Sequence, residues 1–185
     1  MKRITSFVLI LLVAAAIVAA QAQPRHSGLA SIANVGHGKV QLARSMRLEL
    51  ERAGIAPRAR LLAVRGRKSF VRLGGPGNDH CYGVNKKGNG SPFGVTCWND
   101  FPSATHPILD LSTFGADGGG PVHVLDAQGI AADGVASVVF TDAGGAVVGR
   151  APVTANVYAA AGVPVSAVRI VALDAEGRML FAVPK

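Results

Sequence analysis

Hydrophobic and polar positions change their rhythm along this chain. Residues 7–20 are an unbroken apolar run. From 39 to 53 the apolar residues Val40, Ala43, Met46, Leu50 and Ala53 recur at helical steps, while Arg44, Arg47, Glu51 and Arg52 fall mostly on the other side. That pattern predicts an amphipathic helix from Lys39 to Ala53. Its end is well marked, since Gly54 suits a left-handed cap, Ile55 can fold back onto the last turn and Pro57 blocks continuation. Its start carries no Ser, Thr or Asp cap. After residue 59 the period becomes that of strands. A hairpin is predicted from 60–64 and 69–73 about the turn Arg65-Gly66-Arg67-Lys68, followed by an extended stretch at 108–113. Further strands are predicted at 122–125, 135–141, 146–150, 157–160, 167–173 and 179–183. Ala136, Val138 and Phe140 share one strand face, as do Val168, Ile170 and Ala172, and both sets are candidate core.

Glycine punctuates these segments. Gly74-Gly75-Pro76-Gly77-Asn78-Asp79 breaks the chain after the first hairpin, and Gly118-Gly119-Gly120 marks the expected boundary between two regions. Asp142-Ala143-Gly144-Gly145, Asp174-Ala175-Glu176-Gly177 and Asp126-Ala127-Gln128-Gly129 all read as turns that an Asp side chain opens and a Gly closes. A calcium role for these aspartates would need several carboxylates converging on one ion, and no DxDxDG cluster is present.

The apolar run of 7–20 follows Lys2 and Arg3 and ends in Ala20-Gln21-Ala22, the layout of a cleavable export signal. Its length falls short of the roughly 20 residues of a spanning helix. The expected organisation is a signal peptide at 1–22, a flexible lead at 23–38, a helix plus disulfide-stapled antiparallel region at 39–117, and a β-sandwich at 121–185. The fold class is mainly β, α+β overall, and the product is secreted or extracytoplasmic, with no transmembrane segment after signal cleavage.

Export decides how Cys81 and Cys97 are read, because thiols outside the cytoplasm oxidise to disulfides. Flanking strands pair symmetrically about Asn89 and set Cys81 opposite Cys97. The bond closes a loop of about 17 residues, worth roughly 3 kcal/mol in the chain-entropy picture. A zinc set of His80, Cys81, Cys97 and His106 is disfavoured, because His80 and Cys81 as strand neighbours point to opposite faces. No metal or cofactor is expected.

Charge divides the chain. Residues 25–72 carry eleven Lys and Arg against Glu49 and Glu51, whereas residues 73–185 carry six against nine acids. Arg58, Arg60, Arg65, Arg67, Lys68 and Arg72 are therefore the candidate contact for an anionic surface such as an envelope polymer. Only Phe70 lies among them, so the stacking aromatics of specific nucleic-acid binding are missing. For catalysis, no G-x-S-x-G elbow, phosphate loop or H-E-x-x-H helix occurs. Ser103, His106 and Asp110 could assemble a triad, but such spacing is common by chance and a capping or turn role is the favoured reading.

Several stretches carry a resemblance: Ile130-Ala131-Ala132-Asp133-Gly134-Val135-Ala136-Ser137-Val138, Pro152-Val153, Asn156-Val157-Tyr158 and Ala172-Leu173-Asp174-Ala175-Glu176-Gly177-Arg178. They resemble small exported bacterial proteins with a C-terminal immunoglobulin-like β domain. Phe101-Pro102-Ser103 and Ile108-Leu109-Asp110-Leu111-Ser112 are similar to a segment that precedes such domains. The resemblance implies a β fold and an extracytoplasmic site and carries no activity. The inter-sheet Cys, Trp, Cys arrangement of antibody domains is not part of it, since both cysteines lie upstream. The expected function is a non-catalytic interaction or envelope-associated module whose partner is an anionic polymer or another protein. An exported hydrolase with an unlocated active site is the alternative. A concave pocket holding His106 with Ser103 or Asp110 would favour the enzyme, and a flat basic face the binding module.

Overall fold

The computed structural model describes residues 31–32, 39–74, 80–86, 94–115 and 123–185. The signal segment, most of the lead, the tip of the cysteine hairpin and the glycine run at 118–120 lie outside these residues. One helix and three antiparallel sheets make up the rest, so the chain is mainly β as its alternation predicts.

The first sheet has the order β1 (Lys39–Val40), β2 (Ala56–Arg65), β3 (Lys68–Gly74), β4 (His80–Lys86), β5 (Gly94–Trp98). The β2–β3 hairpin forms about the predicted turn, with Arg65 and Lys68 paired and Gly66 and Arg67 at its centre. Gly66 has φ +55° and occupies the first central position, where a tight hairpin turn of right-handed strands needs a positive φ. Helix α1 (Arg44–Arg52) starts later than the apolar spacing suggests, because Lys39 and Val40 pair with Arg60 and Ala59 at the open edge of β2. With no side-chain cap at Ala43, nothing local holds the helix start further back. Its end follows the expectation: Gly54 has φ +75° and the Ile55 N–H donates to the Leu50 carbonyl at 2.8 Å. Cys81 pairs with Cys97 across β4 and β5, and the two form the disulfide.

β6 (Ile108–Asp110) and β7 (Thr113–Gly115) run along one side of β8 (His123–Ala131), and β11 (Val157–Ala160) runs along the other. The third sheet has the order β10 (Val147–Pro152), β9 (Ser137–Thr141), β12 (Arg169–Leu173), β13 (Met179–Pro184). Ile170 pairs with Phe140 and Ala172 with Val138, so these four sit on one shared core face, whereas Ala136 is only partly buried and Val168 is exposed. The turns opened by Asp142 and Asp174 form as read. Each carboxylate accepts the backbone N–H four residues on, from Ala146 and from Arg178.

The reading of 126–129 as a turn is wrong: these residues lie inside β8, a strand of nine residues. Tertiary burial overrides the local turn chemistry, because the middle sheet is covered on both faces. Ala127, Ala131, Ile108 and Tyr158 pack against Val138, Phe140 and Ile170 of the third sheet. Ile130, Leu109 and Val157 pack the other way, against Leu62, Phe70 and Tyr82 of the first sheet. A third cluster, with Leu50, Val71 and Leu73, lies between α1 and the outer face of the first sheet. Ser31 and Ile32 are also held: Ile32 is buried in the second cluster, and the Asp133 N–H donates to the Ser31 carbonyl at 2.8 Å.

Candidate cleft along the β6 edge

The layers differ in width, with five, three and four strands on their main paths. The middle sheet is the narrow one, so its edge strand β6 is set back between the other two. A cleft of about 200 Å³ opens there. Trp98 and Phe101 form the wall on the side of the first sheet, Ile108 and Leu109 the floor, and Phe181 and Val183 of β13 the far wall. Trp98 keeps 46% of its surface exposed at the mouth, whereas Phe101 is buried and meets the Tyr82 ring edge-on at 5.2 Å.

Hydrogen-bond phase shows which backbone groups face the cleft. The Ala132 N–H donates to the Pro107 carbonyl at 2.7 Å, and the Leu111 N–H donates to the Gln128 carbonyl at 2.9 Å. Leu109 is paired with Ile130 between them. Alternate residues of an antiparallel strand turn their N–H and C=O in opposite directions. Leu109 and Leu111 therefore use theirs on β8, as Pro107 uses its carbonyl, and Ile108 and Asp110 turn theirs outward. Among the described residues β6 pairs with no strand other than β8.

The loop above the floor is organised by Asp100. Its carboxylate accepts from His106 Nδ1 at 2.6 Å and from the Thr105 hydroxyl at 3.2 Å. The hydrogen bond from His106 holds the Asp100 carboxyl below the usual carboxylate range; desolvation opposes it, and the Thr105 and Ser103 hydroxyls add smaller lowering effects. Ser103 Oγ accepts the backbone N–H of His106 at 3.0 Å and lies 3.0 Å from Thr105 Oγ1. The His106 ring packs against both Trp98 and Phe181, with centroids 5.9 and 5.8 Å away. Both His106 and Asp110 line the cleft, but the carboxylate on the imidazole is that of Asp100. The triad weighed from the sequence is not assembled, and Ser103 has the capping role.

Asp110 closes the floor. Its Oδ1 accepts the Ser112 N–H at 3.0 Å, the Ser112 hydroxyl, and the Tyr158 hydroxyl at 3.5 Å. Tyr158 reaches Asp110 by lying across Gly129, its cross-strand partner, where a Cβ would stand 2.2 Å from the Leu109 carbonyl oxygen and 2.3 Å from the Tyr158 hydroxyl. Burial drives the Tyr158 phenol well above its ordinary pKa, and the adjacent Asp110 charge adds to the effect. At the C-terminus, burial pulls the Lys185 ammonium below its usual pKa while Asp110 opposes the shift, which sets these two charges within electrostatic reach.

The candidate basic residues are distributed rather than gathered. Lys68 pairs with Asp126 at 2.7 Å, and Arg65 donates to the Thr154 carbonyl at 2.6 Å, so both join the first sheet to the strands after it. Arg67 is exposed in the turn beside them. Arg58 and Arg60 are exposed toward the other end of the hairpin, and Arg72, cross-strand from Arg60, is partly buried beside Tyr82. Arg72 and Lys68 are four residues apart on β3, about 13 Å at strand spacing. Of the proposed zinc set, Cys81 and Cys97 are consumed by the disulfide.

Sequence reasoning missed Trp98, Phe101, Phe181 and Val183 as neighbours of one cleft, and Asp100 as the partner of the His106 that lines it. The available signal was the Phe101-Pro102 turn, which folds residues 100 and 106 toward each other. Nothing local ties them to β13. The chain matches no family model, no curated protein and no solved structure.

Proposed function

We propose that this protein is a non-catalytic interaction module acting outside the cytoplasm, and that it docks its partner in the cleft along β6. The observation that carries the reading is the cleft itself, an apolar cavity bordered by outward-facing backbone of a strand edge and by a half-exposed tryptophan. Apolar clefts with a few placed polar groups are where proteins bind ligands. The basic residues support docking less well, because Arg65 and Lys68 already have partners within the fold. Extracytoplasmic action is supported by the disulfide, a bond that persists in oxidising compartments, together with the export-like layout of the first 22 residues. Among the described residues no helix is long and apolar enough to cross a membrane. In this reading the strands from β8 onward form an immunoglobulin-like unit, supported by the two facing antiparallel sheets around Val138, Phe140 and Ile170.

Trp98 is the sole tryptophan, so its emission reports on the mouth of the cleft. Titration with toluene should change it saturably, and Val183→Trp, which fills the far wall, should abolish toluene-induced shifts in the methyl NMR signals of Ile108. Absence of any saturable response in the unmodified protein would sink the cleft as a binding site. The hydrolase alternative is favoured by one observation, the His106 ring lining the cleft with Asp100 on its Nδ1. Its test is labelling by a fluorophosphonate probe, and a stoichiometric adduct on Ser103 would replace the binding reading.

A further inference from the structure

We propose that the set-back β6 edge receives an extended peptide segment of a partner protein as an added strand of the middle sheet. A bulky apolar side chain of the segment fills the cleft, and a lysine or arginine of the segment lies against Asp100 and Trp98. This names the partner class for the cleft and rests on the reading of the cleft as a binding site.

The position of the cleft is the first reason. Neighbouring strands lie about 4.8 Å apart, and outside β6 that next position falls between the walls made by β5 and β13. Both outer sheets extend past β6 there, since Trp98 and Val183 border the same cavity as Ile108. The cavity thus opens beside the place that a further strand would take, and is left for a side chain of that strand. The second reason is polar matching. Ile108 and Asp110 offer a donor and acceptor each, about 7 Å apart along the edge, which is the two-residue repeat of an antiparallel partner. Strand addition of this kind takes affinity from main-chain bonds and specificity from side-chain pockets.

Size and charge narrow the segment. An apolar cavity of about 150 Å³ holds one benzene. The 200 Å³ here matches a single phenylalanine or leucine side chain rather than two. At the mouth, the Asp100 side chain is 57% exposed, and its bonding partners are an imidazole and hydroxyls rather than Lys or Arg. Asp110 on the floor already has Lys185 within reach. Among the described residues, Asp100 thus holds a carboxylate with no Lys or Arg on it next to His106, and the half-exposed Trp98, which packs on the same His106 ring, offers an indole face to a cation. A basic residue two positions from the apolar anchor falls on the same side of the added strand.

The test uses the full disulfide-bonded protein and blocked eight-residue peptides, built on Ser and Thr, with Phe and Arg two positions apart. Binding is read by Trp98 emission and calorimetry. The Phe/Arg peptide should bind, replacement of its Phe by Ala should weaken binding at least tenfold, and replacement of its Arg by Glu several-fold. The Arg preference should shrink in Asp100→Asn. Single backbone N-methyl groups should abolish binding at alternate peptide positions and be tolerated between them, the signature of one bonded strand edge. Toluene binding with no peptide binding, or N-methyl sensitivity without the two-residue period, would overturn the peptide assignment and leave the cleft reading standing. Failure of both toluene and peptide would remove both. Concentration-dependent dimerisation lost in Val183→Trp would assign the edge to a second copy and overturn the proposal.

Discussion

Replacing Gly129 by alanine tests the packing that shapes the cleft floor. Gly129 lies in β8 between Tyr158 of β11 and Asp110 of β6, and the phenol ring crosses directly over its Cα. A Cβ would stand 2.2 Å from the Leu109 carbonyl oxygen and 2.4 Å from Tyr158 Cζ, separations that real Cβ atoms do not keep. Overpacking of this kind costs about 1–3 kcal/mol. If the ring moves aside, the Tyr158 hydroxyl leaves Asp110 and about 1 kcal/mol of hydrogen bonding goes with it. Gly129 is not in the left-handed region, so alanine also restricts the unfolded chain and returns about 0.4–1 kcal/mol. The net expectation for Gly129→Ala is a loss of about 1–3.5 kcal/mol, centred near 2. At a urea m-value of about 2 kcal/mol/M, the midpoint should fall by roughly 1 M. Urea unfolding followed by circular dichroism and Trp98 emission measures it. In a Tyr158→Leu background the same substitution should cost less by about 1 kcal/mol or more, a coupling that a double-mutant cycle resolves. A midpoint within about 0.2 M of the parent at equal m, or additive effects in the cycle, would refute the close-approach explanation.

The remaining predictions concern the staple and the loop. Cys81 and Cys97 are 16 residues apart in sequence, and replacing both by alanine should cost about 3 kcal/mol, read by the same urea titration; a cost under about 1 kcal/mol would show that the β4–β5 pairing is held without the bond. Asp100 binds its proton more weakly in the fold than in the unfolded chain. Its contribution is therefore present above the ordinary aspartate pKa and is lost as pH falls through the lower, folded value. Trp98 emission should accordingly show an acid transition below the usual aspartate range that disappears in Asp100→Asn, and persistence in that variant would assign the transition to another group.

Much of the architecture was legible because its signals are local. The β2–β3 hairpin, the Asp142 and Asp174 turns, the Gly54 cap and the Cys81–Cys97 pairing each depend on residues within a few positions of one another or across a single hairpin. The errors share the opposite cause. Asp126-Ala127-Gln128-Gly129 carries the same composition as a turn, but Ala127 and Gly129 are small because Tyr158 and the third sheet approach there, and Gln128 is buried against the other side. Lys39 and Val40 match the helical period, yet the open edge of β2 claims them. The cleft was the least visible feature, since β5, β6 and β13 come together only through tertiary packing. His106 was singled out with Asp110, whereas its partner is Asp100, reached by the turn through Phe101-Pro102.

An unpaired strand edge invites indiscriminate pairing, and proteins protect such edges with charges, proline, bulges or cover. Here β6 is protected by depth. Walls from β5 and β13 stand on either side, so the edge of another folded sheet, whose own faces are covered, cannot reach Ile108 and Asp110. A lone extended segment can. The same geometry keeps the Asp110 carboxylate turned inward onto Ser112 and Tyr158, where it adds an inward-pointing charge against adventitious pairing. The buried Tyr158 ring, admitted by the missing Cβ of Gly129, supports the floor beneath that edge. Altering that floor, by shortening Tyr158 or by filling Gly129, should change binding in the cleft as well as stability. A β6 edge indifferent to both changes would mean that the floor plays no part in selection.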